Sequence, residues 1–262
     1  MKRILFFLIF LNLIAGVPLH ESRAEEIYGQ FPTGLLQLEK KHPYYVYVPE
    51  AYSPDKGWPM LFLLGKRGDE PKEIIGSWVD WAKQNQFIVL APTNVAPEKD
   101  VPELADQWLL SVKQEVKERY KIDSARIFLV GLESGAHYAA YLGTRYPQEF
   151  SGVVLVGGAW PGSFEKIIKP SSDPDKQVPF YVLMNPKGEG YGAVEAKANE
   201  FEKKGYPVTL ESLKDVEDIS AVRDRLTQWV RKESEARAIL KEKPKKTFKQ
   251  KKDRFLRDFF TI

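Results

Sequence analysis

Residues 126–142 predict a strand, a sharp turn and a helix in direct succession. The apolar run at residues 127–130 is short and rich in β-formers, which is typical of a buried strand. Gly131 and Gly135 flank the turn, and an alanine-rich stretch suited to close packing on a sheet follows. This spacing fits a G-x-S-x-G turn, which displays a nucleophilic serine at its tip. In this chain Glu133 stands where that serine would be.

Short apolar runs alternate with segments of helical periodicity along most of the chain. The predicted strands are residues 34–38, 44–49, 60–64, 87–90, 126–130, 153–156, 180–184 and 208–213. The predicted helices are residues 72–84, 104–120, 136–146, 163–169, 192–204 and 219–231. Such alternation produces parallel β-α-β units. We therefore predict an α/β-hydrolase fold, with an eight-stranded, mostly parallel sheet flanked by helices and an antiparallel hairpin at one edge.

The N-terminus has the pattern of an export signal. Two basic residues precede an apolar run at residues 4–17, and Ser22 and Ala24 place small residues at the −3 and −1 cleavage positions. We interpret residues 1–24 as a signal peptide and expect a periplasmic or secreted protein. A membrane-spanning anchor is the less favoured interpretation, because the run is short for a bilayer. The chain has no cysteine, which excludes disulfides, thiolate sites and a lipid-attached cysteine.

Charge is distributed unevenly along the chain. Residues 231–262 contain twelve Lys/Arg and five Asp/Glu, whereas residues 25–230 carry a net charge of −6. We therefore divide the mature chain into a globular domain at residues 25–231 and a basic tail at residues 232–262. Five apolar residues lie at helix-face spacing among basic ones at residues 245–262. Such a segment can bind an anionic membrane surface or an acidic protein, or it can be a solvated tail that docks on the acidic domain. We expect no nucleic-acid partner.

Four segments have a pattern that a known family shares. They are Tyr-Val-Tyr-Val-Pro at residues 45–49, Pro-Met-Leu-Phe-Leu-Leu at residues 59–64, Tyr-Lys-Ile-Asp at residues 120–123 with the strand and turn that follow, and Tyr-Pro-Gln-Glu-Phe-Ser-Gly-Val at residues 146–153. Together they resemble secreted esterases of the poly(3-hydroxybutyrate) depolymerase and feruloyl esterase group. The resemblance covers residues 44–229, and its specific part is residues 120–158.

The catalytic positions that the resemblance implies are all substituted. In the family a His-Gly pair after the third strand shapes the oxyanion loop, and a serine stands at the turn tip. An aspartate follows the seventh strand, where the only acid here is Glu189, and a histidine follows the eighth strand, where residues 214–218 contain none. We name these positions the relic elbow (Gly131, Glu133, Ser134 and Gly135), the relic oxyanion loop (Gly65 and Lys66) and the relic acid loop (Glu189).

The three histidines of the chain lie away from the position of a catalytic base. His20 is in the predicted signal peptide, His42 precedes the second predicted strand, and His137 is in the elbow helix. Acyl transfer by serine needs a base that takes the hydroxyl proton and returns it to the leaving group. Because the tip serine and the base are both missing, we expect no triad chemistry and no catalytic residue.

Two catalytic alternatives depend on the turn tip. Ser134 could be the nucleophile, with His137 one helical turn later, although a turn of this kind directs one side chain into the pocket and uses only the backbone N–H of the next residue. Glu133 could form an ester intermediate, as aspartate does in some relatives of the fold, but that ester would still need base-activated water. We favour the interpretation that Glu133 only occupies the tip while the glycines preserve the turn.

The substituted pocket favours a binding role. Glu133 and Lys66 (or Arg67) have opposite charges and should form a buried ion pair that fills the pocket. Trp160 follows a glycine-rich strand end and either lines a pocket for a small ester, sugar or aromatic ligand or belongs to the core.

No phosphate loop or metal-ligand spacing is present, so we expect neither cofactor nor metal. We predict a catalytically degenerate α/β-hydrolase-fold protein of the exported esterase type that binds a ligand or partner in the cell envelope. It could also be peripheral to the membrane. The alternative is an active serine carboxylesterase that uses Ser134 with a displaced base.

Overall fold

A computed structural model describes residues 24–33, 38–93, 102–162 and 164–242, with side-chain surroundings for residues 44–93, 105–162 and 164–235. Within these residues the strands are β1 (Ala24–Thr33), β2 (Leu38–Tyr47), β3 (Trp58–Leu64), β4 (Ile88–Pro92), β5 (Ile122–Leu132), β6 (Gly152–Val156), β7 (Phe180–Met184) and β8 (Val208–Ser212). The helices are α1 (Pro71–Asn85), α2 (Pro102–Arg119), α3 (Ser134–Arg145), α4 (Tyr191–Lys203) and α5 (Ile219–Glu242).

All the described strands join one sheet in the order β1-β2-β4-β3-β5-β6-β7-β8. β1 and β2 form an antiparallel hairpin, and β2 also pairs antiparallel with β4. From β4 to β8 all neighbouring strands run parallel. The predicted fold class, α/β with a mostly parallel sheet flanked by helices, is confirmed. Because β3, β5 and β6 are neighbours, the loops at their carboxyl ends meet at one edge of the sheet.

Helices cover both faces of the sheet. Successive residues of a buried strand point to opposite sides, so each central strand packs against helices on both faces. In β3, Met60 and Phe62 join the apolar cluster shared with α2, α3 and α4, whereas Leu61 and Leu63 join the cluster shared with α1 and α5. All four side chains are fully buried. This burial on both faces explains why the central strands are continuous apolar runs in the sequence.

A buried polar cluster ties α2 to α3, the helix that follows the relic elbow. Asp106 of α2 is fully buried. The hydroxyl groups of Tyr138 and Tyr141 donate to its carboxylate at 2.6 and 2.8 Å, and that of Tyr146 donates at 3.1 Å. Charge-assisted hydrogen bonds satisfy the carboxylate where water cannot reach it. The cluster therefore holds α3 in a defined position against its neighbour.

The prediction of a short helix at residues 163–169 is wrong. Residues 164–167 form a turn, in which the N–H groups of Ile167 and Ile168 both donate to the Phe164 carbonyl. Pro170 disfavours helical backbone at the residue before it, so the turn is not extended into a helix.

The two ends of the described chain differ from the sequence-based expectation. β1 lies earlier than predicted, and the predicted strand at residues 34–38 falls largely outside the described residues. α5 runs on to Glu242, so the basic stretch begins inside a helix. The predicted amphipathic segment at residues 245–262 and most of the predicted signal peptide lie outside the described residues. In the part of the chain that is described, no helix has the length and apolar character needed to cross a membrane.

Candidate functional site

The sharp turn between β5 and α3 is present, with Glu133 at its tip. The backbone of Glu133 has φ 47° and ψ −112°, a conformation that residues with a side chain rarely adopt. The Glu133 N–H donates to the Val156 carbonyl at 2.7 Å, and the Glu133 carbonyl accepts from the Ala136 N–H at 3.0 Å. The turn therefore keeps the strained geometry that elsewhere aims a nucleophile, although a carboxylate occupies the tip.

The two glycines of the relic elbow are required by close approaches. A Cβ on Gly131 would lie 2.6 Å from the Cα of Ala136 in the following helix. A Cβ on Gly135 would lie 2.3 Å from the carbonyl oxygen of Leu64, at the end of β3. Any side chain at either position would push α3 away from the sheet. The glycines thus let the start of α3 rest directly on the ends of β3 and β5.

The predicted ion pair between Glu133 and Lys66 is present. Lys66 Nζ lies 3.5 Å from Glu133 Oε1. Glu133, followed by Asp69 and Glu217, raises the pKa of the Lys66 ammonium above its usual value. Among the described residues, no group of three or more potential ligand side chains is placed to hold a metal ion. The cluster therefore consists of one ammonium with three carboxylates that act on it.

The expected burial of this pair is wrong. The Lys66 and Glu133 side chains are 50% and 45% exposed, so both charged groups reach solvent. Solvent screens such a pair, and it contributes little to stability. The pair covers the turn tip as a charged surface and does not seal a pocket. The surrounding loops decide whether a charge at this edge of the sheet is buried. The spacing of charged residues in the sequence does not reveal how those loops pack.

The loop after β3, which contains the relic oxyanion loop, is bonded to the start of α3. The Arg67 N–H donates to Ser134 Oγ at 2.7 Å, and the Lys66 N–H donates to Asp69 Oδ2 at 3.0 Å. In α/β-hydrolases, an N–H from the loop after the third strand is one of the donors that hold the oxyanion. Here the Arg67 N–H is already engaged. The Ser134 hydroxyl therefore serves as a bridge between loop and helix.

His137 is bonded to a backbone carbonyl. Its Nδ1 lies 2.7 Å from the Ala159 carbonyl oxygen, and because a carbonyl only accepts, Nδ1 carries the proton. No hydrogen bond joins His137 to Ser134 among the described contacts. His42 lies on β2 opposite Gly29, and its side-chain surroundings are outside the described residues. The Ser134–His137 arrangement is therefore not formed in this structure.

An apolar side chain of the loop after β8 approaches the turn tip. A Cβ built on Gly157 would lie 3.4 Å from Glu133 Cγ and 3.5 Å from Val216 Cγ2, so both side chains flank this glycine. The resemblance places the catalytic histidine in this loop. Sequence reasoning missed Val216, although it is the one apolar residue in the charged run at residues 214–218. That isolation was the available signal that it packs against something.

The loop after β7 is held by the side-chain amide of Asn185 and not by the carboxylate of Glu189. Asn185 Nδ2 donates to the Lys214 carbonyl at 2.8 Å, and Asn185 Oδ1 accepts from the Lys187 N–H at 2.9 Å. The first bond ties the loops after β7 and β8 together, and the second lies within the loop after β7. Glu189 is exposed and makes no hydrogen bond or ion pair among the described residues. The residue with a defined role in this loop is therefore Asn185, which sequence reasoning did not single out.

Trp160 is a core residue, which corrects its predicted place in a ligand pocket. Its side chain is fully buried, and its ring centroid lies 5.2 Å from Phe180 and 4.6 Å from Phe201. The indole fills the space between β7 and α4. Of the predicted ligand-binding residues, Lys66 and Arg67 are exposed beside the relic elbow and Trp160 is not.

No protein-family model and no curated protein matches the sequence. Solved structures do match. They include S-formylglutathione hydrolase from Staphylococcus aureus, with 13% identity over 80% of this chain and 97% of that chain and a TM-score of 0.61. A fungal esterase from Rhizomucor miehei has 10% identity over 80% and 84% of the two chains and a TM-score of 0.62. A ferulic acid esterase from Anaeromyces mucronatus has 14% identity over 73% and 82% and a TM-score of 0.54. At these identities the similarity establishes the fold alone: the chain has the α/β-hydrolase fold of these esterases.

Proposed function

We propose that this protein is a catalytically degenerate α/β-hydrolase-fold protein of the exported esterase type, which binds a ligand or partner at the relic elbow. The observation that carries the proposal is Glu133, which occupies the strained turn tip and contacts Lys66. A strained backbone persists only where the surrounding structure enforces it. The scaffold of the elbow is thus retained, while its tip carries a charged group paired with a neighbour.

Three further contacts support loss of acyl transfer. The Arg67 N–H is bonded to Ser134 Oγ, so it is engaged where an oxyanion would need it. Val216 belongs to the loop in which the resemblance expects a base, and it flanks Gly157 together with Glu133. His137 donates to a carbonyl. Serine-based acyl transfer needs a positioned base and free oxyanion donors together. Among the described residues no histidine is bonded to Ser134, and one candidate oxyanion donor, the Arg67 N–H, is engaged.

The charges at the relic elbow favour a polar ligand or partner. Lys66 and Arg67 are exposed there, and Glu133, Asp69 and Glu217 surround the Lys66 ammonium. A surface with both signs of charge recognises groups that can form ion pairs and hydrogen bonds. Because Trp160 is buried, stacking on a sugar or aromatic ring is no longer part of the proposal. Export to the cell envelope remains a proposal from the pattern of residues 1–24.

Reaction with a fluorophosphonate probe tests this function. The purified full chain should show no covalent labelling and no hydrolysis of p-nitrophenyl acetate above the buffer rate. The alternative, an active serine carboxylesterase, is favoured only by the esterase neighbours of the fold. Labelling that Ser134→Ala abolishes, while the exposed-site control Ser172→Ala preserves it, would establish that alternative and overturn the proposal.

A further inference from the structure

A groove of about 470 Å³ lies beside the C-terminal end of α3. One wall is the last turn of the helix, with Tyr141 and Arg145, and the other is the loop that carries Ile167, Lys169 and Lys176. The relic elbow is at the opposite end of α3. Ten residues of helix separate the two places by about 15 Å, so the groove is a separate site.

The charged side chains that line the groove are all basic. Arg145, Lys169 and Lys176 contribute to its lining, which contains no Asp or Glu. Arg145 and Lys169 are exposed and form no ion pair among the described residues. Lys176 Nζ lies 3.8 Å from Asp173 Oδ2, a long contact between two exposed groups. Like charges that line one concave surface produce a positive potential, which attracts an anion.

An apolar side chain stands at the rim of the same groove. Ile167 is 49% exposed, and it is the exposed large hydrophobic residue in the described part of the chain. Ile168 and Tyr141, which also line the groove, are buried. The groove thus offers an apolar contact next to its cations. A single exposed apolar residue is ordinary on a protein surface, and its position among three cations is what points to a ligand.

The loop wall of the groove is anchored to the body of the domain. The Tyr206 hydroxyl accepts from the Ser171 N–H at 3.1 Å and donates to the Lys176 carbonyl at 3.2 Å. Gln177 Nε2 donates to the Ser171 carbonyl at 3.1 Å. These bonds hold the loop that carries Lys169 and Lys176. A site formed in advance loses less conformational freedom when a ligand binds.

We propose that this groove binds a small amphiphilic anion, whose charged head lies between Arg145 and Lys169 and whose apolar body contacts Ile167. The volume is within the usual range for small-molecule sites, roughly 300–1,000 Å³. The basic stretch at the C-terminus of this chain has the same sign of charge as the groove, so it is not a suitable occupant. The site differs from the relic elbow in place and in ligand, and it does not depend on the function proposed there.

Titration of the full chain with 8-anilinonaphthalene-1-sulfonate tests the site, with the uncharged N-phenyl-1-naphthylamine as the comparison probe. The sulfonate should bind in a saturable manner and more tightly than the neutral probe. Lys169→Gln should raise its Kd by about tenfold, the size expected when a hydrogen bond to a charged group is lost. Ile167→Asp should raise it as well. Lys72→Gln, an exposed lysine on α1, should leave the Kd unchanged.

Hydrogen–deuterium exchange with the sulfonate bound shows where on the chain the probe binds. Residues 164–176 should gain protection, and wild type and variants should have the same melting temperature, which separates lost binding from lost folding. The proposal is overturned by any of four results: no saturable binding, an unchanged Kd in Lys169→Gln, equal affinity for the neutral probe, or protection confined to other segments.

Discussion

The Arg67 N–H donates a 2.7 Å hydrogen bond to Ser134 Oγ. This bond joins the loop after β3 to the first residue of α3, across the place where a hydrolase of this fold would hold a substrate oxygen. It engages a potential oxyanion donor and a potential nucleophile in one contact. The loop after β3 and the start of α3 are therefore held together directly beside the turn tip.

Introducing acyl-transfer chemistry at the elbow should require changes on two loops. We expect Glu133→Ser alone to react poorly with a fluorophosphonate, because no base accompanies the new hydroxyl. Adding Val216→His places an imidazole at the residue that, with Glu133, flanks Gly157. The double variant should react faster by about 10²-fold, the lower end of what a general base contributes. The measurement is the rate of probe labelling, by mass spectrometry of the intact chain.

The matched control for this experiment is Glu133→Ser with Val216→Ala. It opens the same space without supplying a base, so it should behave like Glu133→Ser alone. Equal labelling rates for all three variants would mean that the loop after β8 does not direct residue 216 towards the tip.

The strain at Glu133 should be measurable as stability. Its positive φ favours glycine, and an unusual backbone conformation of this kind costs on the order of 1–3 kcal/mol. We expect Glu133→Gly to have a free energy of unfolding about 1 kcal/mol higher than Glu133→Ala, since part of the relief is offset by the greater freedom of glycine in the unfolded chain. Both variants lack the carboxylate, so the comparison isolates the backbone. Urea denaturation followed by circular dichroism gives the two values, and a less stable glycine variant would contradict the strained geometry.

The buried tyrosine cluster predicts loss of stability at alkaline pH. Burial, followed by the charge of Asp106, raises the pKa of the Tyr138 hydroxyl above its usual value. The folded protein therefore retains a proton that the unfolded chain releases near pH 10. The stabilisation that Tyr138 contributes is intact below that pH. Above it, the free energy of unfolding falls by up to about 1.4 kcal/mol per pH unit for one proton.

Tyr138→Phe provides the check on that pH dependence. The variant should be less stable at pH 7, because it removes a hydrogen bond to the buried Asp106 carboxylate. The difference between the variant and wild type should shrink between pH 10 and 11, where only the wild type loses this contribution. Denaturation curves at pH 7, 9, 10 and 11 test it. A constant difference across this range would show that Tyr138 does not hold its proton more tightly in the folded state.

The basic C-terminal segment predicts binding to an anionic membrane surface. Residues 245–262 combine lysine and arginine with phenylalanine at helix-face spacing. The full chain should float with vesicles that contain an anionic lipid, less so with neutral vesicles, and binding should weaken at high salt. Deletion of residues 245–262 should abolish flotation. Equal flotation with and without the segment would end the membrane proposal and leave an acidic protein or the acidic domain as its partner.

Local sequence patterns determined much of this fold. The alternation of apolar runs and helical segments predicted the α/β sheet. A short apolar run followed by a turn between two glycines predicted the elbow, because strands and tight turns depend on neighbours in the chain. The contact between Glu133 and Lys66 was also predictable, since β3 and β5 are adjacent in such a sheet and end at the same edge. The position of the first strand was predicted less accurately, because the apolar residues in that part of the sequence show no strong periodicity.

The tertiary structure alone decided which of these residues are covered. Trp160 and Val216 each follow a strand, yet one lies in the core against α4 and the other lies beside the turn tip. The Lys66–Glu133 contact was expected in a buried site and is half exposed. Burial depends on the loops and helices that pack over a residue from distant parts of the chain, and local spacing does not identify those partners. The sequence therefore determined the scaffold and which residues stand at the turn tip, and the packing of the loops decided how far each of them is covered.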